Sequence, residues 1–149
     1  MTDVSIEVLA PADLSVLELW GEPPAGLSLP AAGRAAGAMM RTGPATWLIE
    51  GDVAAIERTL GEAGALTAVG GGIVRVRLSG PKWRSLLMEG GLFDAESPAF
   101  GPDCVATTLI DHVTLTLRVE SEASCLAYVP ASYAEGLLHF WRVSATTLP

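Results

Sequence analysis

Residues 75–91 read "RVRLSGPKWRSLLMEGG", and their polarity pattern fixes the local architecture. Val74, Val76 and Leu78 alternate with Arg75, Arg77 and Ser79, the period-2 signature of a strand with one buried face. Pro81 suits the first turn of a helix, where its missing N–H would have had no partner. Trp83, Leu86 and Leu87 then recur at helical spacing, and Gly90–Gly91 ends the run. A phosphate cradle needs Gly-Lys-Ser/Thr, or Gly-x-Gly-x-x-Gly opening the helix, and neither is present. The stretch is read as a strand–helix corner packed on a core.

The same reading extends in both directions. "SIEVLA" and "LSVLELW" are expected to form an early strand pair turning at Pro11–Asp13. Residues 21–37, "GEPPAGLSLPAAGRAAG", are rich in Gly, Pro and Ala and read as an extended surface connection. "GAMMRTG" and "TWLIEG" form a hairpin across "TGPAT". "DVAAIERTLGEAG" is an amphipathic helix, with Asp52 as N-cap, an apolar stripe of Val53, Ile56 and Leu60, and Gly61 or Gly64 at its end. "ALTAVGGG" is a short strand running into a glycine corner. After the proline-containing loop "FDAESPAFGPD", "CVATTLI" and "VTLTLRV" are strands around a turn at Asp111–His112. "CLAYVP" is a further strand, and "ASYAEGLLHFWRVSA" a final helix with Pro130 at its start. Hairpin-rich order of this kind argues for an α+β fold over residues 1–149 as one domain. "WLIEGDVAAIERTL" and "CLAYVPASYAEGLLHF" echo each other as strand, corner and helix, which suggests two related β-α-β half-units.

Bulk properties narrow the partners. The chain has 149 residues, half of them apolar, with 17 acidic against 9 basic residues and a net charge of −8. Scattered arginines and an acidic balance oppose nucleic acid and anionic membrane as partners. No apolar run reaches the roughly 18 residues needed to span a bilayer, and "MTDVSIEVLA" has no basic region preceding an apolar one. The expectation is a cytoplasmic protein. Cys104 and Cys125 form no CxxC; free buried thiols suit a reducing compartment, and a disulfide stays open.

Candidate chemistry is sparse. Asp111–His112 lies in a tight turn, where an aspartate ordinarily bonds its own backbone. Cys104, His112, Cys125 and His139 fit no zinc-ligand spacing, so no metal site is expected. Trp20, Trp47, Trp83 and Trp141 lie one per element and have no interleaved basic residues, unlike a base-stacking platform. Trp141, Phe140 and Trp83 are the candidates for an interface, because aromatics dominate buried contact patches. No catalytic residues are expected.

One resemblance covers nearly the whole chain. "RLSGPKWRSLLMEGGLFDAESPAFGPD", then "CVATTLIDHVTLTLRV" and "CLAYVPASYAEGLLHFW", with "GPATWLIEG" upstream, resembles in order and spacing the gamma subunit of heterotetrameric sarcosine oxidase. The resemblance implies a fold like the folate-binding domain of glycine-cleavage T-proteins. It also implies a non-catalytic assembly role beside alpha, beta and delta subunits, in a complex oxidising an N-methyl amine with one-carbon transfer to tetrahydrofolate. FAD, FMN, NAD, zinc and tetrahydrofolate would then be held by those partner subunits. Two departures stand out: "LTAVGGG" lacks the Asp-Val-Ser of relatives, and "EGG" at Glu89–Gly91 replaces a Lys-Gly-Cys-like step. The other functional reading is a free-standing folate-binding or aminomethyltransferase-like protein, whose pocket would draw on Arg77, Asp111 and Glu50. The subunit reading expects unsatisfied apolar surface on the isolated chain, with self-association when it is alone.

Overall fold

A computed structural model describes residues 3–149. In chain order the elements are β1 (Ser5–Val8), β2 (Leu14–Leu19), β3 (Ala35–Ala36), β4 (Met39–Gly43), β5 (Thr46–Glu50), α1 (Ala54–Leu60) and β6 (Gly64–Ala68). A short 3₁₀ turn (Gly70–Gly72) leads into β7 (Ile73–Ser79), α2 (Trp83–Met88), β8 (Val105–Ile110), β9 (Val113–Ser121), β10 (Ser124–Pro130) and α3 (Ala131–Ala145). The mixture of antiparallel sheets and helices is α+β, as the hairpin-rich order predicts.

The strands form two five-stranded sheets, ordered β1-β7-β10-β9-β8 and β3-β4-β5-β2-β6. The two orders are the same. From β7, the next three strands in sequence fold back so that β10 lies beside it, then β9, then β8. From β2, the next three likewise place β5 beside it, then β4, then β3. A helix follows each set, α3 and α1 respectively. The repeat is therefore longer than a β-α-β unit: it spans four strands and the helix after them. The flanking strand differs in origin. β6, which follows α1, lies beside β2, whereas the N-terminal β1 lies beside β7.

That placement corrects the expected β1–β2 pair. β1 pairs antiparallel with β7, Ser5 opposite Ser79 and Val8 opposite Val76, while β2 pairs with β5 and β6. The physical reason is burial. β2 is buried along most of its length and needs a neighbour on each side, whereas β1 is largely exposed and suits an edge. Residues 9–13 accordingly cross from one sheet to the other instead of closing a tight turn.

Strand alternation produces stacked apolar layers. On one face of the first sheet Val76, Leu78, Leu117 and Ala127 meet Leu86, Leu87 and Trp141 of α2 and α3. Between the sheets, Leu14, Met40 and Leu48 meet Val105, Leu126 and Tyr128. On the far face of the second sheet, Leu17, Trp47 and Ile49 pack with Leu60 of α1. The order through the molecule is helices, sheet, sheet, helix. The connection over residues 21–37 is mostly exposed and is tacked down by Leu27 and Leu29 and by the Trp47 indole N–H donating to Pro30 O at 3.2 Å. Ala35 and Ala36, near its end, form β3.

Helix ends follow the local sequence with one adjustment. Asp52 Oδ1 accepts from Ala54 N–H at 2.9 Å, although Val53 occupies the N-cap position of α1. Gly61, at φ +54°, ends that helix. Asp111 and His112 both have positive φ, at 48° and 65°, the geometry of a two-residue hairpin turn whose twist matches its strands.

Candidate functional site

The polar groups that could do chemistry collect on the face of the first sheet turned toward the second. Tyr128 on β10 stands opposite Arg75 on β7, and both reach Glu50 at the end of β5. The Tyr128 hydroxyl donates to Glu50 Oε1, and Arg75 Nη1 lies 3.6 Å from the same oxygen. Arg75 Nη2 donates to Ala10 O at 2.8 Å, in the crossing between the sheets. Burial, with the Glu50 carboxylate adding to it, pushes the Tyr128 phenol well above its ordinary range, so it stays a protonated donor. These three side chains clasp one sheet to the other. Arg75 Nε is buried there without a partner among the described residues.

Arg77, two residues along the same face, is committed elsewhere. Its Nε and Nη2 donate to the two carboxylate oxygens of Glu120 at 2.8 and 3.0 Å, and Nη1 reaches Glu7 at 3.3 Å. The fork-on-fork bond holds the Glu120 carboxyl below the usual carboxylate range and the guanidinium above its own. Asp111 lies in the β8–β9 turn, its N–H donating to Gly90 O at 2.9 Å. Arg118 of β9 is in register with Leu126 and hence with Arg77. Val113, where that strand leaves the turn, is therefore about 16 Å further along at ~3.3 Å per residue. The structure does not bring Arg77, Asp111 and Glu50 together. Glu50 is instead joined by Arg75 and Tyr128, which the sequence reading did not single out.

Two of the three aromatic interface candidates, Trp141 and Trp83, need correction. Trp141 is 0% exposed and Trp83 2% exposed, both inside the core of the first sheet, and Phe140 is half-buried against it. Ala134, Leu137 and Trp141 are the buried positions of α3, spaced three and four residues apart, so the helix turns its tryptophan inward. The Trp83 indole N–H is used internally, donating to Glu122 O at 3.0 Å. The aromatic side chains that do face outward are Trp20, 66% exposed, and Tyr133, 58% exposed.

Both cysteines are free. Cys125 is buried, and burial pushes its thiol well above the ordinary range; Cys104 is partly exposed and accepts from Arg34 Nη1 at 3.2 Å. Among the described residues no three His, Cys, Asp or Glu side chains are placed to hold a metal ion, and no helix is long and apolar enough to cross a membrane. A cleft of about 650 Å³ opens where β2, β5 and β6 meet, lined by Asp13, Ser15, Asp52 and Gly70 among others. It contains none of the three folate-site candidates.

No protein-family model matches the sequence, and no curated protein does. Among solved structures, the chain is similar to a chain of heterotetrameric sarcosine oxidase from Corynebacterium sp. U-96, a structure in complex with pyrrole 2-carboxylate. The two share 22% identity at a TM-score of 0.84, over 97% of this chain and 84% of that one. The two-sheet arrangement described above is thus the fold of a chain found in a heterotetrameric sarcosine oxidase.

Proposed function

We propose that this protein is a non-catalytic assembly subunit of a cytoplasmic, sarcosine oxidase-type flavoprotein complex. The complex oxidises an N-methyl amine and passes one carbon to tetrahydrofolate. In this reading the chain corresponds to the gamma subunit, and FAD, FMN, NAD, zinc and tetrahydrofolate belong to subunits of alpha, beta and delta type. The observation that carries it is the near-complete fold match to a chain of such a complex. The internal use of the polar groups agrees with it: Arg77 is paired with Glu120, and Glu50 with Tyr128 and Arg75. Affinity purification of the tagged chain from its native cells, with mass spectrometry of the eluate, tests the proposal. Large flavoprotein subunits should accompany it near stoichiometry, and a partnerless chain overturns the reading.

The free-standing folate reading requires Arg77, Asp111 and Glu50 to share a pocket, and their separation on the sheet weighs against it. A melting temperature raised by tetrahydrofolate would restore it, because a ligand that binds only the folded state stabilises that state by mass action.

A further inference from the structure

β8 is an edge strand, bonded to β9 on one side only. Its two ends are covered on the open side. Val105 N–H donates to Gly33 O at 2.8 Å, with Arg34 bridged to Cys104, and Asp111 N–H donates to Gly90 O, with Gly91 bridged to Ile110. Alternate residues of an antiparallel strand send both backbone groups to the same side. Val105, Thr107 and Leu109 therefore face outward, and among the described residues the Thr107 N–H, Thr107 C=O and Leu109 N–H have no backbone partner. Open edges are ordinarily guarded by a charge, a proline or a bulge, because they template further pairing. "VATTLI" carries none of these, and Thr107 and Leu109 are exposed.

Hollows flank this opening on both faces of the sheet. On the face of Thr107, Gly33, Arg41, Thr42 and Pro44 help line a cleft of about 520 Å³. On the opposite face, Phe93, Ala99, Phe100, Cys104 and Ala106 line one of about 250 Å³. Past the far end, the fully exposed Leu92 joins Phe93, Thr108 and Leu109 around a third, of about 350 Å³. Free backbone groups in the middle, with side-chain hollows to alternate sides, are what strand addition requires.

We propose that the β8 edge receives a short extended segment of another polypeptide as an added strand, its side chains running apolar, acidic, apolar. The middle residue lies opposite Thr107 and faces Arg41, and its neighbours enter the hollows beside Phe93. A second copy of this chain does not fit. A continuous β8–β8 ladder would run into Gly33–Arg34 and Gly90–Gly91, which already lie against the two ends of the strand, whereas the occupant pairs only through the three residues opposite Ala106–Thr108 and its flanking residues turn away from the sheet. The inference goes beyond the subunit reading, and its test gives the same answer whether or not the chain copurifies with a flavoprotein.

The test titrates the ¹⁵N-labelled full chain with the synthetic peptide acetyl-Gly-Ser-Val-Glu-Val-Ser-Gly-amide. In the free chain, the amides of Ala106, Thr108 and Ile110, bonded to β9, should exchange slowly, and those of Thr107 and Leu109 quickly. Bound peptide should shift the Thr107 and Leu109 resonances and slow the exchange of Thr107. N-methylation of the peptide glutamate should weaken binding at least tenfold, whereas N-methylation of either valine should change it less than threefold. Thr107→Pro, which removes an N–H that β9 does not use, should abolish binding, and Thr107→Val should retain it. Native-like spectra for both variants exclude unfolding as the cause. No saturable shift at millimolar peptide, or equal effects of the two N-methylations, overturns the proposal.

Discussion

Replacing Gly80 by alanine should destabilise the fold far more than one methyl group ordinarily does. Gly80 sits at φ +101°, in the corner between β7 and α2, and a Cβ there would lie 2.7 Å from Asp3 O and 3.3 Å from Val4 Cα. The neighbour is backbone and cannot swing aside. Asp3 O also accepts from Lys82 N–H at 3.0 Å, so moving it breaks that bond and strains the β1–β7 ladder beside it. The φ alone costs on the order of 1–3 kcal/mol for a residue with a Cβ, and relief of the contact adds roughly 1–2 kcal/mol, the cost of forced overpacking. A total near 3 kcal/mol would lower Tm by about 6–12 °C in a chain of this size. Gly37→Ala is the control: its φ is +56° but nothing lies within 4 Å of the added Cβ, so only the backbone cost of about 1–2 kcal/mol applies. Urea unfolding of both variants, with amide exchange at β1, measures the difference. If Gly80→Ala falls within experimental error of Gly37→Ala, the close approach of β1 to the corner is refuted.

Three other outcomes follow from the polar groups. Tyr128→Phe leaves Glu50 without the phenol donor and should cost about 1–2 kcal/mol by urea unfolding, since the bond is to a charged acceptor. Glu120 has its carboxyl held low, so its pairing with Arg77 stabilises the fold fully above the unfolded carboxylate value of about 4.3 and is lost as pH falls through the lower folded value. Glu120→Gln should therefore flatten the acid-side loss of stability and cost roughly 1 kcal/mol at pH 7, a modest figure because the pair is partly solvated. Iodoacetamide at pH 8 should label Cys104 in the native chain, leaving the buried, high-pKa Cys125 unmodified until urea unfolds it; equal labelling of both would contradict the packing of β10.

Short-range patterns specified most of the elements, and long-range register specified what they touch. The alternation of Val74, Val76 and Leu78 with Arg75 and Arg77 places both arginines on one face, as β7 shows. Asp111–His112 is readable as a hairpin turn because two positive φ angles suit that loop length. Nothing local distinguishes β1 as a partner of β7, whose residues lie some seventy positions away. Glu50 is a candidate from the sequence but its partners are not: Tyr128 is 78 residues distant and meets it only once two sheets stack. The inward turn of Trp141 was available from its spacing to Ala134 and Leu137, a stripe that outweighs any general preference of aromatics for interfaces. The equal strand order of the two sheets emerges only from pairing, since the connection after β2 is irregular where α2 follows β7.

A subunit is known by the company it keeps, so the decisive measurement is the size and visible spectrum of the tagged chain as isolated from its own cells. Gel filtration with light scattering and an absorbance scan reads both at once. The chain should elute in a complex several times its own 15.5 kDa, carrying a flavin band near stoichiometric amount. A colourless monomer or homo-oligomer would contradict it.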